Sequence, residues 1–178
     1  VPGTPSEDLL AASSSGGRDG AGGFSFVGVP DRPAPPEAPA VLSRDEQGRA
    51  TVRAIRLAEG IRLDGQLDEA VYHAVPAITD FIQQVPDIGA PATEKTEAWV
   101  MFDDTKVYVS ARVWDSSPES QWVANEMRRD NFNVLMNGRV GFLLDTFYDR
   151  RNGLIFNVNA IGGRTDGQMT DERVDTYN

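Results

Sequence analysis

The stretch that decides the fold occupies residues 96–114 and reads TEAWVMFDDTKVYVSARVW. Apolar and polar side chains alternate along its second half, and a period of two is the pattern of a β-strand with two unlike faces. Asp103-Asp104 interrupts the pattern, and acidic residues between two such runs indicate a turn. The stretch therefore predicts a β-hairpin. Its second strand carries Val107, Val109, Ala111 and Val113 on one face and Tyr108, Ser110, Arg112 and Trp114 on the other.

Short segments of the same kind lie on both sides of this hairpin. Upstream, residues 51–57 alternate with period two, and a short helix is predicted from Glu69 to about Ala74 with Asp68 as its cap. Downstream, Asn-Gly pairs at 137–138 and 152–153 are strong turn signals. Many short strands with little helix indicate an all-β fold, which we expect to be an antiparallel β-sandwich with one or two short helices. The downstream strands are predicted at 139–145, 154–160 and 165–169.

The N-terminal part of the chain has a different composition. Residues 13–23 are rich in Gly and Ser, as in flexible linkers, and residues 30–39 are rich in Pro, as in stiffer spacers. We therefore predict a long irregular arm over residues 1–45 and a β-sandwich domain over 46–178. An apolar island in the arm is typical of a docking peptide, although it is also compatible with an incidental cluster. The residues that we expect to contact a protein partner are Phe24, Phe26, Val27 and Val29.

Composition argues against several classes of function. The net charge of −10 argues against nucleic acid, whose phosphates are bound by clustered Lys and Arg. The absence of Cys excludes thiolate metal sites and a Cys nucleophile. His73 is the only histidine, and it falls inside the predicted helix. With no catalytic motif and no apolar run near the roughly 20 residues of a membrane span, we predict a protein that is not an enzyme, requires no cofactor and has no transmembrane segment of its own.

Two groups of residues are candidates for ligand binding. Trp114, Arg112 and Asp115 would form a platform for a sugar if their side of the hairpin faces solvent; the alternative is that Trp114 covers a second layer of core. Asn157 and Asn159 share one face of a predicted strand, where they either bind a ligand or are simply solvated.

A calcium ion is compatible with the many carboxylates, since calcium prefers clustered oxygen ligands. Its ligands would come together only if the fold allows. The residues considered are Asp145, Asp149, Asp166 and Asp171.

Ordered motifs along residues 50–175 resemble a known family. LDGQLDE at 63–69 is similar to the opening of a family 9-like carbohydrate-binding domain, and WDSSP at 114–118 and LDTFYDRRNG at 144–153 follow in the same order. They resemble in particular the version that precedes an uncharacterised bacterial region of outer-membrane-barrel type. The resemblance implies an immunoglobulin- or jelly-roll-like sandwich. It also leads us to expect further strands of the domain beyond residue 178.

The resemblance implies a non-catalytic, carbohydrate-binding module of the bacterial envelope. We expect a periplasmic or outer-membrane-associated location after removal of a signal peptide, and members of the family often hold calcium. The alternative is an accessory subunit that docks through its N-terminal arm on the periplasmic face of a larger respiratory or photosynthetic membrane complex.

Overall fold

A computed structural model of the chain describes residues 34–46 and 48–175. The arm residues Phe24, Phe26, Val27 and Val29 lie outside this part of the chain, so their contact with a partner stays a prediction. The strands are β1 (Leu42–Arg44), β2 (Ala50–Val52), β3 (Ile55–Arg56), β4 (Thr96–Phe102), β5 (Val107–Val113), β6 (Arg139–Leu144), β7 (Gly153–Asn159), β8 (Arg164–Thr170) and β9 (Arg173–Asp175); the helices are α1 (Ala70–Ala74) and the 3₁₀ helices Glu119–Gln121 and Phe132–Met136.

The strands form three sheets. β1 pairs with β2, the second sheet has the order β3-β4-β5, and the third has the order β6-β7-β8-β9. The all-β prediction is therefore confirmed, while the face-to-face packing of two sheets that defines a sandwich stays a prediction. Pairing is antiparallel except that β3 runs parallel to β4, with Ile55 opposite Met101. Such a pairing needs a long connection, which here contains α1.

Three details differ from the sequence prediction. The segment predicted as one strand over 51–57 is divided into β2 and β3, because its two parts pair with different strands. β2 pairs with β1, where the last hydrogen bond runs from Arg53 N–H to Val41 O (2.9 Å), and β3 pairs with β4. Asp68 does not cap α1; Arg62 donates to its carboxylate instead (3.1 Å). β1 falls within the last residues assigned to the arm.

The hairpin of β4 and β5 lies within the predicted stretch 96–114, with β5 one residue shorter at each end than the predicted strand 106–114, and its turn is held by hydrogen bonds. The Asp103 carboxylate accepts the backbone N–H groups of Thr105 (2.7 Å) and Lys106 (2.8 Å). The Tyr108 hydroxyl also donates to it (2.7 Å). These bonds hold the pKa of Asp103 well below its usual range, and the hydrogen bond from Tyr108 has the largest effect. Asp103-Asp104 thus lies in the turn of the hairpin, as predicted from the sequence, and the Asp103 side chain stabilises that turn.

The core lies on one face of this hairpin. Trp99, Met101 and Tyr108 are buried together with Leu57 and with Tyr72 of α1. The Tyr72 and Trp99 rings meet edge to face at 5.2 Å. The inner face of β5 is therefore the one that carries Tyr108 and Ser110, and Arg112 and Trp114 follow them on the same side. The side on which the sugar platform was predicted thus faces the core and not solvent, and only its far end, at Trp114, is partly open. Among the described residues, no helix is long and apolar enough to cross a membrane.

Candidate functional site

The first three predicted ligand residues lie where β5 leaves the core. The Trp114 side chain is partly open to solvent, with 37% of its surface exposed. The Arg112 guanidinium carbon is 6.0 Å from the centroid of this ring, and the Lys95 ammonium is 4.3 Å from it. Both distances are within the range of cation–π attraction. The structure therefore brings Trp114 and Arg112 together and adds Lys95, which the sequence did not indicate.

Further contacts fix the cations around Trp114. The Glu97 carboxylate lies 2.8 Å from Lys95 and 3.6 Å from Arg112. Arg112 also donates to the backbone carbonyl of Leu67 (3.0 Å) and lies 5.8 Å from the ring of Trp99, which belongs to the core. Arg112 is thus held on one side by the core, while 42% of its side chain remains exposed.

Asp115 is used by the turn that follows. Its carboxylate accepts the hydroxyl and the backbone N–H of Ser117, the latter at 2.8 Å, and these bonds lower the pKa of Asp115. The turn also positions Trp122, whose indole N–H donates to Ser117 O (3.2 Å) and whose side chain is 47% exposed. Two exposed indoles therefore border one turn. We call this region the Trp114 surface: Lys95, Glu97, Arg112, Trp114, the turn 115–117 and Trp122.

Asn159, predicted as a ligand residue, is buried and occupied by hydrogen bonds. Its amide donates to the carbonyl of Glu126 (2.6 Å) and to Asn137 Oδ1 (3.0 Å). Its own oxygen accepts the backbone N–H groups of Ile161 (3.2 Å) and Gly163 (2.7 Å). With only 5% of its surface exposed, Asn159 connects parts of the fold and presents no group to a ligand.

Asn157 is half-buried and lies in a groove of about 530 Å³. It accepts a hydrogen bond from Arg139 Nε (3.3 Å) and donates one to Thr165 Oγ1 (3.3 Å). The groove belongs to the third sheet, whereas the Trp114 surface lies at the end of the second. Its lining residues are Asn137, Arg139, Gly141, Phe142, Leu143, Ile155 and Asn157.

The carboxylates considered for calcium each have local partners. Asp145 and Asp149 accept backbone N–H groups within the loop 145–152. Asp171 pairs with Arg151 at 2.9 Å, and Asp166 pairs with Arg129. Over the ranges 34–46 and 48–175, no three His, Asp or Glu side chains are grouped so that they could hold a metal ion. The calcium hypothesis therefore gains no ligand set and stays a prediction.

No family model matches the sequence, and no curated protein or solved structure is significantly similar to it. The resemblance to a family 9-like carbohydrate-binding domain accordingly rests on the motifs quoted above.

Replacing Asn159 with Ala should destabilise the fold by about 3 kcal/mol, because several buried backbone and side-chain groups lose their partner. Asn157→Ala is the matched control, since it removes only two long hydrogen bonds from a half-exposed amide and should cost less than about 1 kcal/mol. Urea unfolding of both variants measures the difference. Equal costs would contradict the assignment of Asn159 as a structural residue.

Glu126, close to Asn159, is a buried carboxylate paired with an exposed arginine. Arg128 donates to both of its oxygens, at 3.0 and 2.7 Å, and its backbone N–H donates at 2.9 Å. These bonds lower the pKa of Glu126 to about 2, and the hydrogen bond from the Arg128 side chain has the largest effect. The folded protein thus favours the ionised carboxylate.

A depressed pKa in the folded state means that Glu126 stabilises the fold above its ordinary pKa of 4.5 and that this contribution is lost as the pH falls towards 2. We expect wild type to be more stable than Glu126→Gln at pH 6, and the gap to shrink steadily between pH 5 and pH 2. Denaturant unfolding at a series of pH values measures the gap. A gap that does not change with pH would rule out this role for the Glu126 charge.

Proposed function

We propose that this protein is a non-catalytic, carbohydrate-binding module of the bacterial envelope and that it binds a saccharide at the Trp114 surface. The observation that supports this most strongly is an exposed indole surrounded by fixed polar groups. An aromatic ring offers an apolar face for the C–H groups of a sugar. Arg112, Glu97 and the turn 115–117 supply donors and acceptors of the kind that orient a ligand in a binding site.

Lys95 occupies part of the ring face that a sugar would use. A cation over an exposed indole contributes only about 0.5–1 kcal/mol. The Lys95 ammonium also lies 2.8 Å from the Glu97 carboxylate and can keep that partner when it leaves the ring. A sugar can therefore displace Lys95 from Trp114 at small cost.

We expect Trp114→Ala to weaken saccharide binding at least about tenfold, because the stacking surface is lost. Val113→Ala is the matched control, since Val113 precedes Trp114, is 54% exposed and points to the opposite face of β5. Lys95→Ala should bind as well as wild type or better. Calorimetric titration with a panel of neutral oligosaccharides, with and without calcium, measures all four proteins. If wild type binds none of the panel, or if Trp114→Ala binds like wild type, the proposal fails.

A second candidate function, an accessory subunit that docks on a larger membrane complex, is favoured by the loop 81–91. The loop is closed by its own hydrogen bonds, among them Gln83 N to Ala90 O (2.8 Å) and Ala92 N to Phe81 O (2.9 Å). It nevertheless presents Val85 and Ile88 with 83% and 82% of their surfaces exposed. Contiguous exposed apolar surface marks protein-binding sites, and Val85 and Ile88 would contribute such surface from one loop.

If the loop docks on a partner, the double variant Val85→Asp/Ile88→Asp should lose most of its co-purification with a solubilised membrane complex of the source cell. Leu63→Asp, which changes an equally exposed apolar residue (83%) outside the loop, is the control. Deletion of residues 1–40 tests the arm separately. Co-purification that survives both changes at full yield would rule out this candidate.

A further inference from the structure

Within the part of the chain that the structure describes, strand β6 forms an open edge of the third sheet. It pairs there with β7 on one side only. The Asn159 N–H donates to Gly163 O on the β8 side (3.0 Å), and backbone direction alternates along an antiparallel strand. It follows that Val140, Phe142 and Leu144 bond to β7, while the N–H and C=O groups of the residues between them point outward. Among the described residues, no hydrogen bond to these outward groups is formed.

The sequence of this edge is complementary to itself when it is read in the opposite direction. It begins with a cation, Arg139, and is followed directly by an anion, Asp145. Within the described chain, neither has an ion-pair partner: Arg139 bonds to the Leu135 carbonyl and to Asn157, and Asp145 accepts only backbone N–H groups. The residues between them are Val140, Gly141, Phe142, Leu143 and Leu144.

We propose that two copies of this chain associate by antiparallel pairing of β6 with β6 about a two-fold axis at Phe142. In this register Phe142 lies opposite Phe142 of the second copy, and Val140 lies opposite Leu144. On the other face Gly141 lies opposite Leu143, and Arg139 lies opposite Asp145. The outward backbone groups of Gly141 then bond to those of Leu143 in the second copy, and two four-stranded sheets become one continuous sheet.

Charge and shape select this register over its neighbours. Sliding one copy by two residues keeps the faces matched but places Arg139 opposite Leu143 and Gly141 opposite Gly141, so both charges lose their partners. In the Phe142-centred register, Leu143, which is 42% exposed, packs beside Gly141 at the mouth of the 530 Å³ groove. Two cross-strand ion pairs and the Phe142 pair each add stabilisation of the kind measured for cross-strand neighbours.

Arg139 is the only charged residue of β6, and the edge lacks other features that keep strands apart. Natural sheets protect their edges with Pro, with Lys or with bulges that twist the edge away. β6 contains neither Pro nor Lys, and its pairing with β7 is regular over all six residues. An edge of this kind is suited to pairing with another strand. The proposal does not depend on saccharide binding, because the Trp114 surface lies at the end of β5.

The absence of Cys from the chain allows a direct test of the register. Opposite residues in a non-hydrogen-bonded antiparallel pair are close enough for a disulfide. Phe142→Cys should therefore form a covalent dimer under mild oxidation. Val140→Cys alone and Leu144→Cys alone should not, but a mixture of the two should form the mixed dimer. This mixture also provides a test if the loss of Phe142 impairs folding.

Charge exchange gives an independent readout. Sedimentation of the full chain over a range of concentrations should show a dimer. Arg139→Asp and Asp145→Arg should each raise its Kd at least about tenfold, because like charges then face each other. Mixing these two variants, or combining both changes in one chain, should restore the dimer. A chain that stays monomeric, or a dimer that shows neither this charge pattern nor the mixed disulfide, would overturn the proposal.

Discussion

The arrangement of the third sheet depends on one buried hydrogen bond between two amides, from Asn159 Nδ2 to Asn137 Oδ1 at 3.0 Å. The same Asn137 oxygen accepts the backbone N–H groups of Asn125 (2.9 Å) and Glu126 (3.3 Å). The Asn137 side chain therefore connects residues 125–126, which precede β6, to Asn159 at the end of β7. Val134, with no exposed surface, lies just before this network, and its carbonyl accepts the backbone N–H of Asn137 (3.2 Å). A buried polar network of this kind stabilises only when every member is satisfied, so the start of β6 is fixed as a consequence.

The second and third sheets are stabilised in partly different ways. The second uses aromatic packing: the Tyr72 and Trp99 rings meet edge to face, and the Tyr72 hydroxyl lies 2.8 Å from Ser110 Oγ. The third has one aromatic pair as well, Phe142 stacked on Phe156 at 5.2 Å, and adds amide hydrogen bonds at one end. Among the described residues, its β6 edge has no partner strand. The proposed saccharide surface and the proposed pairing edge therefore lie on different sheets. A ligand at Trp114 and a second copy at β6 would not compete for the same residues.

Sequence patterns predicted what is local and missed what depends on distant partners. The hairpin was predictable because alternation and a turn signal lie within 19 adjacent residues, 96–114. The division of 51–57 between two sheets was not, since one strand and two short strands have the same alternation. Asp68 was a reasonable helix cap, but Arg62 competes for its carboxylate. The alternation that places Asn159 on one face of its strand is the same whether that face is exposed to solvent or covered by another segment. Asn159 is buried because the segment that contains Glu126 and Asn137 packs on it, and the local pattern does not show this.

Arg112 connects the core to the proposed saccharide surface. Its guanidinium carbon lies 5.8 Å from the buried Trp99 ring and 6.0 Å from the exposed Trp114 ring. The Leu67 carbonyl holds the same group at 3.0 Å. The core packing of the hairpin therefore limits the positions that Arg112 can take beside Trp114. A donor that is already ordered loses little side-chain entropy when a ligand binds. The hairpin at 96–114 thus serves both purposes, because its inner face builds the core and its last residue carries the indole that emerges from it.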